Sequence, residues 1–173
     1  MKLLSIRTIL FLIIFVSLAL IIPVGLFAGS TNTVLAKQIK AKILLNKNIS
    51  IDNLEVTDEG NGEVKLDGTA DLYGEVYLAV REAAEFNTQM INTNIEVIPK
   101  ETKSDAQIEK EVRAELNKHT KEVDLKDVDV TVEDSVVRLI GTTTQKDAVN
   151  EIFKKIIWIP GITYARNEVK EKK

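Results

Sequence analysis

Apolar residues recur at every fourth position in Leu35-Ile39-Ile43 and again in Ile108-Val112-Leu116, the stripe of a helix with one buried face. Each stripe is followed by two runs in which apolar and polar residues alternate, the pattern of half-buried strands. The first pair is predicted at Leu54 to Asp58 and Glu63 to Ala70, joined by Glu59-Gly60-Asn61-Gly62, whose residues tolerate positive φ. The second pair is predicted at Val128 to Glu133 and Val136 to Thr143. A second helical stripe comes next, Val76-Val80-Ala83 in one region and Val149-Phe153-Ile156 in the other. A last strand closes each region, Ile91 to Ile98 and Ile162 to Val169.

The two regions are copies. A shift of 73 residues lays Leu35, Ile39, Ala41 and Ile43 on Ile108, Val112, Ala114 and Leu116, and Val64-Lys65-Leu66-Asp67-Gly68-Thr69 on Val137-Arg138-Leu139-Ile140-Gly141-Thr142. Leu54 and Val56 match Val128 and Val130 at a shift of 74, so a residue is gained before the first strand and lost in the turn after it. The order αββαβ therefore occurs twice. The expected fold is α+β: two tandem units, each a three-stranded mixed sheet covered on one face by two helices, over residues 31–99 and 104–171. Parallel final strands would require a crossover over the second helix. Helix starts are expected at Thr31 to Thr33, at Asp71, at Ser104 with Gln107 as a capping box, and at Thr144 with Asp147. A unit of about 70 residues is marginal alone, so docking of the two is expected.

Ahead of the units, Thr8 to Ala36 carries no charge, and Ile9 to Ala28 is nearly all aliphatic or aromatic. Such a stretch could cross a hydrocarbon core of about 30 Å as a retained anchor. Pro23 argues the other way, and with the small residues Ala28-Gly29-Ser30 it favours a secretory signal cut after Ser30. With Lys2 and Arg7 held inside, either reading sends residue 31 onward across the cytoplasmic membrane.

Composition narrows the chemistry. The chain of 173 residues has no cysteine and one histidine, His119, which removes disulfides, thiolate ligands, cysteine nucleophiles and lipid-acylated cysteine. No metal site and no cofactor site is expected: Asp67 with Asp71, and Glu133 with Asp134, read as turn residues without calcium-loop spacing, and Gly68 and Gly141 as points where the chain leaves a strand, with no phosphate cradle. The net charge is −3, with +2 in residues 1–30, −5 in 31–99 and zero in 100–173, so no basic field points to nucleic acid.

The repeated V-[KR]-L-x-G-T, held in tandem αββαβ units behind an export leader, resembles the BON-domain family. Pro160-Gly161-Ile162 followed by Asn167 is similar to the family's glycine turn and asparagine-bearing strand, whereas Asn87-Thr88-Gln89 lacks the glycine. The resemblance implies a protein of the periplasm or cell envelope without catalytic activity, contacting membrane phospholipid or envelope proteins. Two alternatives stand beside that: a chaperone-like stress protein that takes unfolded clients on strand edges, and a docking module of an envelope complex.

Trp158 beside Lys154 and Lys155 suits a headgroup interface, but the general burial of tryptophan favours a core cap or a wedge between the units. The resemblance places a headgroup surface on the first helix of the second unit, where Lys110 and Arg113 could form a small cationic patch amid Asp105, Glu109, Glu111 and Glu115. Val64, Leu66 and Gly68, with Val137, Leu139, Gly141 and Gly161, are expected to be structural.

Overall fold

The computed structural model describes residues 29–31 and 33–172, so the leader lies outside the described residues. The first unit consists of α1 (Val34–Leu45), β1 (Ile51–Gly60), β2 (Glu63–Ala70), α2 (Tyr73–Ala84) and β3 (Met90–Val97). The second consists of α3 (Asp105–Asn117), β4 (Val128–Glu133), β5 (Val136–Thr143), α4 (Lys146–Ile156), β6 (Tyr164–Asn167) and β7 (Lys170–Glu171). The fold is α+β, and the αββαβ order occurs in tandem.

In each unit the second strand is central. It pairs antiparallel with the strand before it and parallel with the strand after it, so each sheet is mixed. Alternation explains why the helices take one face. Leu54, Val56, Val64, Leu66 and Ile95 point to α1 and α2, while Glu55, Lys65, Asn92 and Asn94 on the reverse face stay polar. Val130, Val137, Leu139 and Ala165 do the same under α3 and α4. Burial of each large aliphatic side chain contributes about 1.5–3 kcal/mol, and Ile39, Ile43, Ile108, Ile156 and Ile162 are fully enclosed.

Several boundaries differ from the pattern-based expectation. β1 begins at Ile51, three residues early, because a bulge interrupts its alternation: Asn53, at φ 53°, and Leu54 together oppose the single residue Gly68. A second irregularity between Asp58 and Gly60 is where the first hairpin gains its extra residue. The last strand of the second unit is broken. Asn167 Oδ1 accepts the Val169 N–H at 3.1 Å, which turns the chain locally and divides the expected run into β6 and β7, both parallel to β5. The first unit, where the turn glycine is missing, has the more regular ending. Asn87 takes φ 57° where Gly161 takes φ 94°, and β3 pairs with β2 without interruption from Met90 to Val97.

Gly68 and Gly141 do not mark exits from a strand, since β2 and β5 continue past both. They admit a neighbour: a Cβ at Gly68 would stand 2.7 Å from Ile51 Cγ2, and one at Gly141 would overlap the Asp127 carbonyl oxygen. Asp67 likewise lies in β2, where it accepts from Asn94 and pairs with Lys65, each at 2.9 Å. Those two partners, Lys65 foremost, hold its carboxyl below the ordinary aspartate value.

Helix capping follows the sequence at Thr33, which accepts from Ala36, and at Ser104 with Gln107. The two inner helices start otherwise. Asp71 is turned toward Lys100, and the buried Glu75 carboxylate reaches back to accept three N–H groups, from Ser50, Asp71 and Leu72, each at 3.1 Å. At the same joint in the second unit, Thr143 and not Thr144 accepts from Gln145 N–H and donates to Asp124 O, at 3.1 Å each. The register equates Ala70 with Thr143 and Glu75 with Ala148, so each unit closes this corner with a residue the other lacks.

Candidate functional site

α4 ends where Pro160 approaches, because the residue before a proline is steered out of helical φ/ψ. The following turn carries Trp158 back against the first unit. Its ring lies on Gly74, in the first turn of α2, where a Cβ would come within 2.6–2.9 Å of three indole atoms. Beside it the Tyr73 and Tyr164 rings meet edge-on, 5.2 Å between centroids at 66°, and the Arg166 guanidinium stands 5.8 Å from the Tyr164 ring. Tyr73 packs against the cores of both units. Burial there pushes its phenol up to about 12, so it is a neutral donor in ordinary solution.

These contacts frame a cleft of about 340 Å³, floored by Val76, Val80, Ile95 and Val97 and rimmed by Tyr73, Tyr77 and Tyr164. Its lining is apolar with phenolic rims, suited to holding a hydrocarbon or aliphatic side chain. The connection between the units is tied at each end. Lys100 N–H donates to Asp71 Oδ1 at 2.9 Å, and the Lys103 ammonium is held by both oxygens of Glu111 at 2.8 Å.

The basic residues singled out by sequence fall in two places, Lys154 and Lys155 in the last turn of α4 and Lys110 and Arg113 on α3. Lys154 pairs with Glu151 at 2.5 Å, and Lys155 approaches His119 Nε2 at 3.3 Å, in a cluster centred on Glu115. Lys118 holds the Glu115 carboxyl below its usual range. The Trp158 ring faces Gly74 of α2, while its backbone N–H donates to the Lys155 carbonyl at 3.2 Å. On α3, Lys110 is exposed, but Arg113 donates to Glu109 at 2.7 Å, to Asp129 at 2.9 Å and to the Val130 carbonyl at 3.1 Å. The last bond, with Asp129 accepting the Val130 N–H at 2.8 Å, covers the outward backbone of edge strand β4. Lys110 and Arg113 thus line one shallow groove on α3 together with Glu109, with the Arg113 charge met by Glu109 and Asp129. Val64, Leu66, Val137 and Leu139 are fully buried core, and Gly161 packs under Lys103.

Sequence reasoning missed Gly74, the Tyr73–Tyr164 contact and Glu75. One signal was present: a glycine inside a helical pattern costs about 1 kcal/mol against alanine, so it calls for a close neighbour as its reason. Among the described residues no group of three or more His, Asp or Glu side chains could hold a metal ion, and no helix is long and apolar enough to cross a membrane.

No curated protein matches the chain in sequence. Among solved structures it is similar to CdsD, a structural protein of the type III secretion system of Chlamydia trachomatis, at 18% identity and TM-score 0.35, covering 77% of this chain and 60% of that one. A structure of the CdsD C-terminal domain is similar at 16% identity and TM-score 0.34, covering 69% and 57%. The chain thus spans about 60% of the length of the solved relatives it matches. The BON domain matches twice, at residues 31–99, which take in the whole first unit, and at 104–161, which run from α3 through α4 and stop before β6, and the chain belongs to the BON-domain family.

Proposed function

We propose that this is a non-catalytic binding protein of the cell envelope, whose paired BON domains, residues 31–99 and 104–171, are held against a membrane and contact its phospholipid. The observation that carries the reading is the distance between the apolar segment and the folded body. Ile9–Ala28 is uncharged, and only two residues later Ser30 exchanges two backbone hydrogen bonds with Asp58 on the edge of β1, at 2.8 and 3.0 Å. Two residues span at most about 7 Å, so a membrane entered by the segment lies directly against the first unit. That pairing also supports retention of the segment, since a cut after Ser30 would carry off the residue bridged to Asp58. The body then lies outside the cytoplasmic membrane.

Fractionation of cells making the full chain tests this. The expected result is recovery in the membrane pellet, release by detergent but not by high salt, exposure to protease from the outer side, and an intact mass that includes residues 1–28. A soluble product whose mass starts at Thr31 would refute retention, and its failure to float with phospholipid vesicles would refute lipid contact. A docking role for an envelope protein is favoured by one feature, the eight-residue edge strand β3, with Met90 and Ile98 exposed at its two ends. Crosslinking from Asn92 or Asn94 to a single envelope protein would support that reading.

A further inference from the structure

α1 is apolar on two opposite faces. Ala36, Ile39 and Ile43 are buried against the sheet, yet Val34 and Leu45 are 72% and 80% exposed on the other side, and Leu44 is 61% exposed on one flank. At 3.6 residues per turn, Val34, Ala41 and Leu45 form a ridge pointing straight away from the core. Lys42 lies on the flank toward α2, where it pairs with Glu82 at 3.5 Å and Glu85 at 3.2 Å. Lys37, Lys40 and Leu44 lie on the opposite flank, toward the β1 edge to which Ser30 is paired. No ion pair engages Lys37, Lys40 or the following Lys47 among the described residues, and α1 itself contains no acidic residue. This holds in a region whose net charge is −5, so the acidic groups have been kept off this helix.

We infer that the outer face of α1 is the surface by which the body rests on anionic phospholipid. The inference builds on the membrane contact proposed above and names where it occurs. Two observations select lipid as the occupant. An apolar ridge flanked by free lysines is complementary to acyl chains beneath anionic headgroups. The apolar segment also ends at Ala28 in the sequence, and Ser30, two residues on, is bridged to Asp58 at the edge of β1, the strand on which α1 packs. The ridge runs about 16 Å from Val34 to Leu45, so contact at both ends lays the helix parallel to the membrane plane.

The absence of native cysteine permits a direct test. Full-length Leu44→Cys, Leu45→Cys and, as a control on an exposed β4 position, Thr131→Cys are labelled with an environment-sensitive dye. Each is reconstituted into phosphatidylcholine vesicles with or without phosphatidylglycerol. The expected result is a blue shift at positions 44 and 45 with phosphatidylglycerol only, none at 131, and loss of the shift in high salt or in the triple variant K37Q/K40Q/K47Q. Loss of three attractions of this kind corresponds to about a 100-fold weaker surface association. If the full chain floats with vesicles but positions 44 and 45 behave like 131, the α1 assignment fails and membrane association stands. If the chain does not float at all, both fail. A blue shift that needs no vesicles and grows with protein concentration would instead make this face a contact between two copies and overturn the lipid assignment.

Discussion

Replacing Gly74 with alanine puts two effects in opposition. In a helix without a close neighbour the change stabilises by up to about 1 kcal/mol, because alanine loses less backbone freedom on folding. Here the new Cβ would lie 2.6–2.9 Å from Cδ2, Cε2 and Cε3 of Trp158, well inside contact distance. Overpacking of this kind costs about 1–3 kcal/mol. The ring is half-buried at the end of a turn, so it yields by swinging out and leaves the two cores intact. The net expectation is a loss of about 1 kcal/mol, a fall in Tm of about 2–4 °C for a chain of this size. Trp158 is the only tryptophan, so its fluorescence reads the seat directly, and emission should move to longer wavelength in Gly74→Ala. The double variant with Trp158→Ala is the control: with the ring gone, the same alanine should recover its helical gain of about 1 kcal/mol. If Gly74→Ala alone raises Tm and leaves the emission unchanged, the indole does not sit on Gly74, and the argument for a docked pair of units fails.

Glu75→Ala removes the acceptor of three buried-side N–H groups and should cost about 3 kcal/mol in urea denaturation, with Glu75→Gln losing less because one acceptor oxygen remains. Arg113→Ala uncovers the Val130 carbonyl on edge strand β4 and should promote self-association measured by sedimentation; Arg113→Lys, lacking the forked geometry, should restore this only in part. Asp67, Glu115 and Asp129 are held below their ordinary values by Lys65, by Lys118, and by the Val130 N–H with Arg113, respectively. Their contribution is complete above the unfolded carboxylate value of about 4 and is lost as pH falls through the lower folded values, so the urea midpoint should drop in that window and drop less in Lys65→Met. Tyr73 has the opposite sense: raised from 10.0 to about 12, it stabilises fully below 10 and loses that contribution as pH climbs toward 12, when Trp158 emission should report the units parting.

Local order was legible where a residue answers to its own helix or strand. The stripes at Ile39 and Ile108, the Ser104 capping box and the hairpin glycines each satisfy a short-range requirement, and each appears where the pattern put it. What could not be read depends on residues distant in sequence. Asn53 opposes Gly68 in a bulge that only the partner strand reveals, and Asn167 breaks a strand by bonding to Val169. Asp71 looked like a cap by position, but Glu75 outcompetes it because a buried carboxylate can serve Ser50 as well. The candidate surfaces divide the same way. Trp158 was visible as an unusual residue, yet its partner Gly74 lies 84 positions away in the other unit. Lys110 and Arg113 were visible as neighbours on one helix, but the counter-ion Asp129 comes from β4, which the helix pattern could not show.

The unlike corners of the two units have a consequence for exchanging parts between them. Transplanting α4 behind β2 would place Ala148 against Ala70, so neither the Glu75 carboxylate nor the Thr143 hydroxyl would remain to receive the backbone donors there. The reciprocal graft, α2 behind β5, would bring both acceptors to one corner. Copies that began as equals have thus drifted into complementary, one-directional compatibility, and a chimera could be built across this joint in one order only.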